Sequence, residues 1–435
     1  MISSMVNAFR APDIRRRLLF VMGIIIVYRA LAHVIIPGVN LVNLEANSNS
    51  DSNGFFGLLS LFSGGNIKQL SIVGLGLNPY INATIIMQIL QTTIPSLKAL
   101  SLEGEYGRNK ITSYSRWLAV PLAALQAYGI LALLQSQSTA PIYTSTFSFE
   151  KYEAWTQIIA LTVGSVLLMW LGELITEKGI GNGISFIIFA GIVSRVPATV
   201  GTFLSAPDWL GLIIFGVFGL AVIFIIIFVQ EGQRRIPIQY ANRVRGHRIY
   251  QGGSTFLPLR VNMSGVIPII FSISILLFPV QIAYYFSAST IQGVASASNW
   301  IIATLGQGGP LWVSLYFLLT LGFAFFYTFI VFKPDETANN LRKSGGFIPG
   351  IRPGLPTEDY LRRVAFRITL AGAIFVATVA ILPYIMGVLP MFKGVNSLGL
   401  GLGGTSVLIV VSVVVETMKQ LEAQLMMRSY EGFIR

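Results

Sequence analysis

The sequence predicts an all-α polytopic membrane protein that crosses the bilayer ten times, and three observations carry that prediction. Of 435 residues, 54% are hydrophobic and only 11% are charged, with a mean hydropathy of +0.70. A water-soluble chain carries about a quarter charged residues, so this one cannot cover a soluble surface. Apolar stretches of about 20 residues recur from end to end, the length needed to cross a ~30 Å hydrocarbon core as helix. Lysine and arginine, finally, gather in alternate connections.

The spans fall at 18–36, 72–94, 117–135, 155–175, 184–204, 210–229, 264–286, 311–332, 366–389 and 402–418. Asp and Glu are nearly absent from these windows; Glu173 and Glu416 lie near span ends. The first span follows Arg15, Arg16 and Arg17, is too long for a signal-peptide core and has no small-residue cleavage site after it, so it is expected to be retained. The N-terminus carries Arg10 and the Arg15–Arg17 run, and the second/third connection Lys98, Arg108, Lys110 and Arg116. The fourth/fifth carries Lys178, and the sixth/seventh Arg234, Arg235, Arg243, Arg245, Arg248 and Arg260. The eighth/ninth holds a basic series from Lys333 to Arg367, and the C-terminus Lys419, Arg428 and Arg435. The opposite side receives only Lys68, Lys151, Arg195 and Lys393. The positive-inside rule then places both termini in the cytoplasm. An odd number of spans would scramble the alternation.

Ten spans divide into halves of five, 1–205 and 206–435. An odd number per half makes the halves antiparallel, the inverted-repeat plan common among membrane transport proteins. Residues 41–53 are polar and Asn/Ser-rich, and Gly54–Asn66 is apolar, glycine-bearing and too short to span. That segment reads either as a re-entrant piece, tolerated where protein or a water-filled cavity surrounds it, or as an interfacial helix. The two most basic connections, about 30 residues each, are far longer than the usual 2–8 and read as a docking surface or as topogenic charge.

No catalytic constellation is present. The chain has no cysteine, and its two histidines, His33 and His247, show no metal-ligand spacing. No P-loop, H-E-x-x-H or G-x-S-x-G occurs; the reading is a non-enzyme without cofactor or metal. Arg29 and His33, four residues apart, are ionisable groups well inside the first window. With no carboxylate near them in sequence, they suit structural pairing or snorkelling rather than a proton path. A secondary transporter for a small solute is the competing reading. It would need half-helix breaks at matching positions in both halves, and 54–66 has no counterpart after the sixth span.

Seven stretches carry a family resemblance: NPYINATII (78–86), EGEYGRNKI (103–111), GIGNGIS (179–185), RRIPIQYANR (234–243), STFLPLRVNMSGVIP (254–268), FIPGIRPG (347–354) and GGTSVLIVV (403–411). In this order and between these spans they resemble the bacterial SecY family. The resemblance implies a protein-conducting channel in the bacterial plasma membrane. Such a channel passes unfolded preproteins bearing a signal sequence and releases hydrophobic segments sideways into membrane lipid. Its implied partners are the SecE and SecG membrane subunits, the SecA motor ATPase and the ribosome.

By the same resemblance, Ile81, Ile85, Ile184, Ile188, Ile270 and Ile409 form an apolar ring around a central pore. Such a constriction closes by excluding water, and the two i, i+4 pairs each share one helix face. The plug maps to Gly57, Leu58, Leu59, Ser60, Leu61, Phe62, Ser63, Gly64, Gly65 and Asn66, and the lateral gate to Gln91, Gln126 and Ser274. Arg243, Arg245, Arg248 and Arg352 map to the cytoplasmic docking face, on connections at about 230–263 and 333–365. Asn242 and His247 depart from the family's basic pattern. Ile184 falls at the first turn of the fifth span, so a level ring requires that helix to begin deep in a funnel.

Overall fold

Each of the ten predicted windows holds a helix in the computed structural model, which describes residues 11–40, 70–137, 152–194, 196–197, 201, 209–240, 243–245, 248–250, 253–286, 291–305, 309–388 and 404–434. In chain order these are α1 (Pro12–Ala32), α2 (Asn78–Thr93), α4 (Glu105–Gln137), α5 (Tyr152–Lys178), α6 (Gly183–Val193), α7 (Trp209–Glu231), α8 (Ile267–Phe286), α10 (Pro310–Val331), α12 (Leu355–Val388) and α13 (Gly404–Ile434). Between them lie α3 (Pro95–Leu102), α9 (Gln292–Leu305) and α11 (Pro334–Lys343). Among the described residues, Tyr152–Lys178, Pro310–Lys343, Leu355–Met386 and Gly404–Met427 are helical stretches long and apolar enough to cross a membrane by themselves. Gly183–Val193, Gly216–Glu231 and Ile267–Val280 are shorter apolar helices.

Local chemistry sets several boundaries. Prolines stand in the first turns of α1, α2, α3, α10 and α11, where the missing N–H has no partner to lose. Helix α2 stops at Thr93 because Ile94 precedes Pro95, and a residue before proline is driven out of the helical region; Ile94 is extended at φ −95°, ψ 116°. The largest overruns of the windows are those of α4, which starts at Glu105, α12, which starts at Leu355, and α13, which runs to Ile434. Hydropathy finds only the part of a helix that lipid would solvate, so polar helical turns outside the bilayer escape it.

The two long basic connections are not loops. Strands β1 (Gln233–Tyr240), β2 (Arg243–Arg245), β3 (Arg248–Tyr250), β4 (Ser254–Arg260) and β5 (Gly346–Phe347) make an antiparallel sheet of order β4-β1-β5 and a β2-β3 hairpin. In β1, Ile236 and Ile238 are buried while Gln233, Arg234, Arg235, Pro237 and Gln239 are exposed, the period-2 pattern of a half-buried strand. Ile236, paired opposite Leu257, packs with Leu259, Ala338, Ile348, Leu361 and Val364. That small core welds the sheet to α11 and to the first turns of α12. The helical membrane part keeps the all-α class; the strands are an addition outside it.

Within the bundle, α5 packs on α1, α2, α4 and α6, and α2 packs on α4. Later in the chain α12 packs on α10 and α13, α8 on α10, and α7 on α13. Helices α2 and α4 meet α8, and α6 meets α13. Gln230 donates from Nε2 to Ser412 Oγ at 2.6 Å, and Lys419 pairs with Glu231 at 2.8 Å, fastening α7 to α13 along two turns.

Candidate pore constriction

The six isoleucines named from sequence come from four helices and arrive in one place. Ile81 and Ile85 of α2, Ile188 of α6, Ile270 of α8 and Ile409 of α13 belong to a single buried cluster, and Ile184 packs against it partly buried. None of the five buried ones is more than 8% exposed. All six are β-branched and therefore stiff at χ1, and none offers water a hydrogen bond.

The position of Ile184 depends on the α5–α6 turn. Gly181 there has φ +84°, a left-handed conformation that a side chain would strain. Asn182 caps α6, its Oδ1 accepting from the N–H of Ile184 at 3.1 Å and of Ser185 at 3.4 Å. The Gly183 N–H donates to Thr176 Oγ1 at 2.9 Å. A Cβ on Gly183 would sit 1.9 Å from the Gly172 carbonyl oxygen, so backbone meets backbone. These contacts fix the start of helix α6 against α5, and Ile184 in its first turn packs partly buried against the cluster.

Gln91, Gln126 and Ser274 lie on α2, α4 and α8, the three helices that meet where the earlier part of the bundle touches the later part. Gln126 is buried, and the other two are half-buried. No hydrogen bond joins the three to one another among the described residues. Arg352 is exposed at the tip between Gly350 (φ +81°) and Gly354 (φ +109°). Its carbonyl accepts from Thr357 Oγ1 at 2.9 Å, which fixes the loop, while its side chain enters no ion pair among the described residues. Arg245 and Arg248 pair across β2 and β3, and Arg243 pairs with Tyr250; the side chains of these three arginines lie outside the described part. Gly57, Leu58, Leu59, Ser60, Leu61, Phe62, Ser63, Gly64, Gly65 and Asn66 also lie outside it.

Arg29 donates to Ser194 Oγ at 3.0 Å, and His33 Nδ1 lies 2.7 Å from the Arg29 carbonyl oxygen. The pair therefore ties α1 to the end of α6. Sequence reasoning missed the Arg116–Glu173 ion pair (2.6 Å) between α4 and α5. Their separation of 57 residues leaves no local periodicity to signal it.

A bundle of apolar helices around an aliphatic buried cluster, with a basic sheet-bearing unit packed on α11 and α12, defines a polytopic membrane protein. A family model described as SecY matches residues 71–418. The Streptomyces scabiei protein named "Protein translocase subunit SecY" is 42% identical over 446 residues, covering 100% of both chains. The solved structure described as "The structure of a protein conducting channel" superposes with a TM-score of 0.63 at 18% identity, covering 93% of this chain and 91% of that one. Sec61 in the canine ribosome–channel complex from the endoplasmic reticulum gives a TM-score of 0.59 at 18% identity, with the same 93% and 91% coverage. At such identity these two show the fold. The chain belongs to the SecY family, and the solute-transporter alternative is not favoured.

Proposed function

We propose that this protein is the channel-forming subunit of a protein translocase in the bacterial plasma membrane, with both termini cytoplasmic. It passes unfolded polypeptides through the isoleucine collar and releases hydrophobic segments sideways into lipid. The observation that carries the reading is the convergence of six isoleucines, distant in sequence, on one buried cluster. A translocating chain must widen the neck, and an uncharged aliphatic wall yields to any side chain without binding it. Residues 1–205 and 206–435 act as two inverted halves. The seam of α8 with α2 and α4, bearing Gln91, Gln126 and Ser274, is the lateral exit. Interhelical hydrogen bonds in lipid contribute only about 0.6 kcal/mol on average, so a polar seam opens readily. Gly57 to Asn66 form a plug that closes the same path at a second depth.

Single-channel current in planar bilayers tests the collar. Ile81→Ser with Ile409→Ser should give persistent ion conductance in folded channels, and deleting Gly57 to Asn66 should add a separable leak. Folded variants as tight as wild type would refute the ring.

The partners we assign are SecE- and SecG-like membrane subunits, a SecA-type motor and the ribosome. Ribosome-bound channels among the structural relatives support the last. Arg243, Arg245, Arg248 and Arg352 would dock the motor or ribosome, guanidinium being suited to bidentate carboxylate and phosphate contacts. Arg352→Glu should abolish driven translocation without loss of membrane-inserted protein, because the side chain packs against no core. Copurification of small membrane subunits checks the assembly.

A further inference from the structure

The chain leaving α1 and the chain entering α2 are clasped together against α5. The Ile36 N–H donates to the Leu70 carbonyl at 3.0 Å, and the Ile72 N–H donates to the Val34 carbonyl at 2.9 Å. Ile35 and Ser71 therefore face each other as an isolated antiparallel bridge. Three contacts hold this clasp to α5. Gln157 Nε2 donates to the Pro37 carbonyl at 3.2 Å, and Ser165 Oγ donates to the Gly76 carbonyl at 3.1 Å. Between them, a Cβ on Gly164 would sit 2.0 Å from the Ile72 carbonyl oxygen, so the backbones touch. From Gln157 to Ser165 the contacts run along about 12 Å of helix.

The clasp is over-determined. Leu70 has φ +43° and is the one non-glycine residue in the left-handed region among those described. Such a conformation costs energy and persists where its surroundings enforce it. Ile36, Leu70, Leu75 and Leu161 of α5 are buried in a single cluster, and Ser71 and Val73 are fully buried. Parting the strands would leave four backbone groups without partners in a buried site, which folded chains avoid. Helix α2 starts at Asn78, two residues after the carbonyl that Ser165 holds, and the Ile81 N–H donates back to the Leu77 carbonyl at 2.9 Å. The clasp thus also sets the start of the helix that carries Ile81 and Ile85.

We propose that the clasp stays shut throughout transport, so that α1, α2 and α5 travel as one body. The chain between Asn40 and Leu70, which includes the plug segment Gly57–Asn66, then works from a fixed base, and Ile81 and Ile85 keep their place when the plug is displaced. The inference rests on the translocation reading above.

The chain contains no cysteine, so an engineered pair reports without background. The Cα atoms of a directly opposed pair without mutual hydrogen bonds stand about 4.5 Å apart, within the range of a disulfide. Ile35→Cys with Ser71→Cys is placed in membranes with the partner subunits and motor. A mild oxidant should cross-link it nearly completely, read as loss of maleimide-reactive thiol. The oxidised channel should then move a secretory preprotein at the rate of its reduced form and of each single-cysteine variant. A rate lost on oxidation and restored by reductant would show that the clasp must part, and would overturn the inference. Failure to cross-link would overturn the clasp itself. Adding Gly164→Val, which drives a side chain into the Ile72 carbonyl, should lower the cross-link yield of the membrane-inserted protein; an unchanged yield would show that α5 does not hold the strands. A wild-type channel that moves no preprotein overturns the translocation reading, and the cross-link yield still judges the clasp.

Discussion

Two junctions in this bundle are built on opposite principles. At the α5–α6 turn, Gly183 is pressed on the Gly172 carbonyl, and Asn182 and Thr176 satisfy the first N–H groups of α6. Helix α8, which carries Ser274, also meets α2 and α4, which carry Gln91 and Gln126, and among the described residues no hydrogen bond joins these three side chains. Close backbone approach admits one geometry, since moving either helix opens a void or creates a clash. A seam of longer, partly polar side chains can rearrange by rotamer changes. The first junction fixes the start of α6; under the proposed function it would hold Ile184 and Ile188 in place and the second would part.

Substitutions at the two junctions separate these roles, beginning with the most severe. Gly183→Leu should abolish detergent-stable protein, because its Cβ would lie 1.9 Å from a backbone oxygen that cannot move alone; a monodisperse size-exclusion profile at wild-type yield would show the junction to be soft. Asn182→Ala should lower stability by about 1 kcal/mol through loss of the helix cap, read as a lower thermal midpoint with the channel still sealed. Gln126→Leu should shift the seam's open-to-closed ratio by roughly threefold, equivalent to the ~0.6 kcal/mol of one interhelical polar contact. Its readout is lateral release of a weakly hydrophobic segment, with the thermal midpoint unchanged. A Gln126→Leu effect on folding as large as that of Asn182→Ala would erase the distinction between the junctions. Gly322→Ala on α10, where a new Cβ meets nothing within 4 Å, should change neither stability nor release and sets the baseline.

The legibility of the molecule varied with the range of the forces involved. Windows such as 155–175 and 311–332 coincide with α5 and α10 because hydropathy summed over twenty neighbours is a local quantity. The extensions at Glu105–Arg116 and Leu355–Ala365 were invisible for the complementary reason, since charged helical turns carry no hydropathy signal. The β1–β4 hairpin did leave a trace in the alternation of Ile236 and Ile238 with polar neighbours. It was masked by basic residues that made the segment look like a simple connection.

The collar marks the sharper divide. By hydropathy, Ile81 (8% exposed) and Ile86 (38% exposed) are equivalent residues on one helix, and lipid rewards both alike. Family resemblance could name Ile81, but composition and periodicity could not choose it. The sequence by itself determined that the chain enters the membrane, roughly where each span lies and which mouth is basic, because each follows from neighbouring residues and their transfer into lipid. Only the tertiary structure decided which isoleucines are buried in one cluster and where α6 begins, because interior and bilayer are equally apolar. Packing geometry, set by contacts such as Gly183 on Gly172, is what separates them.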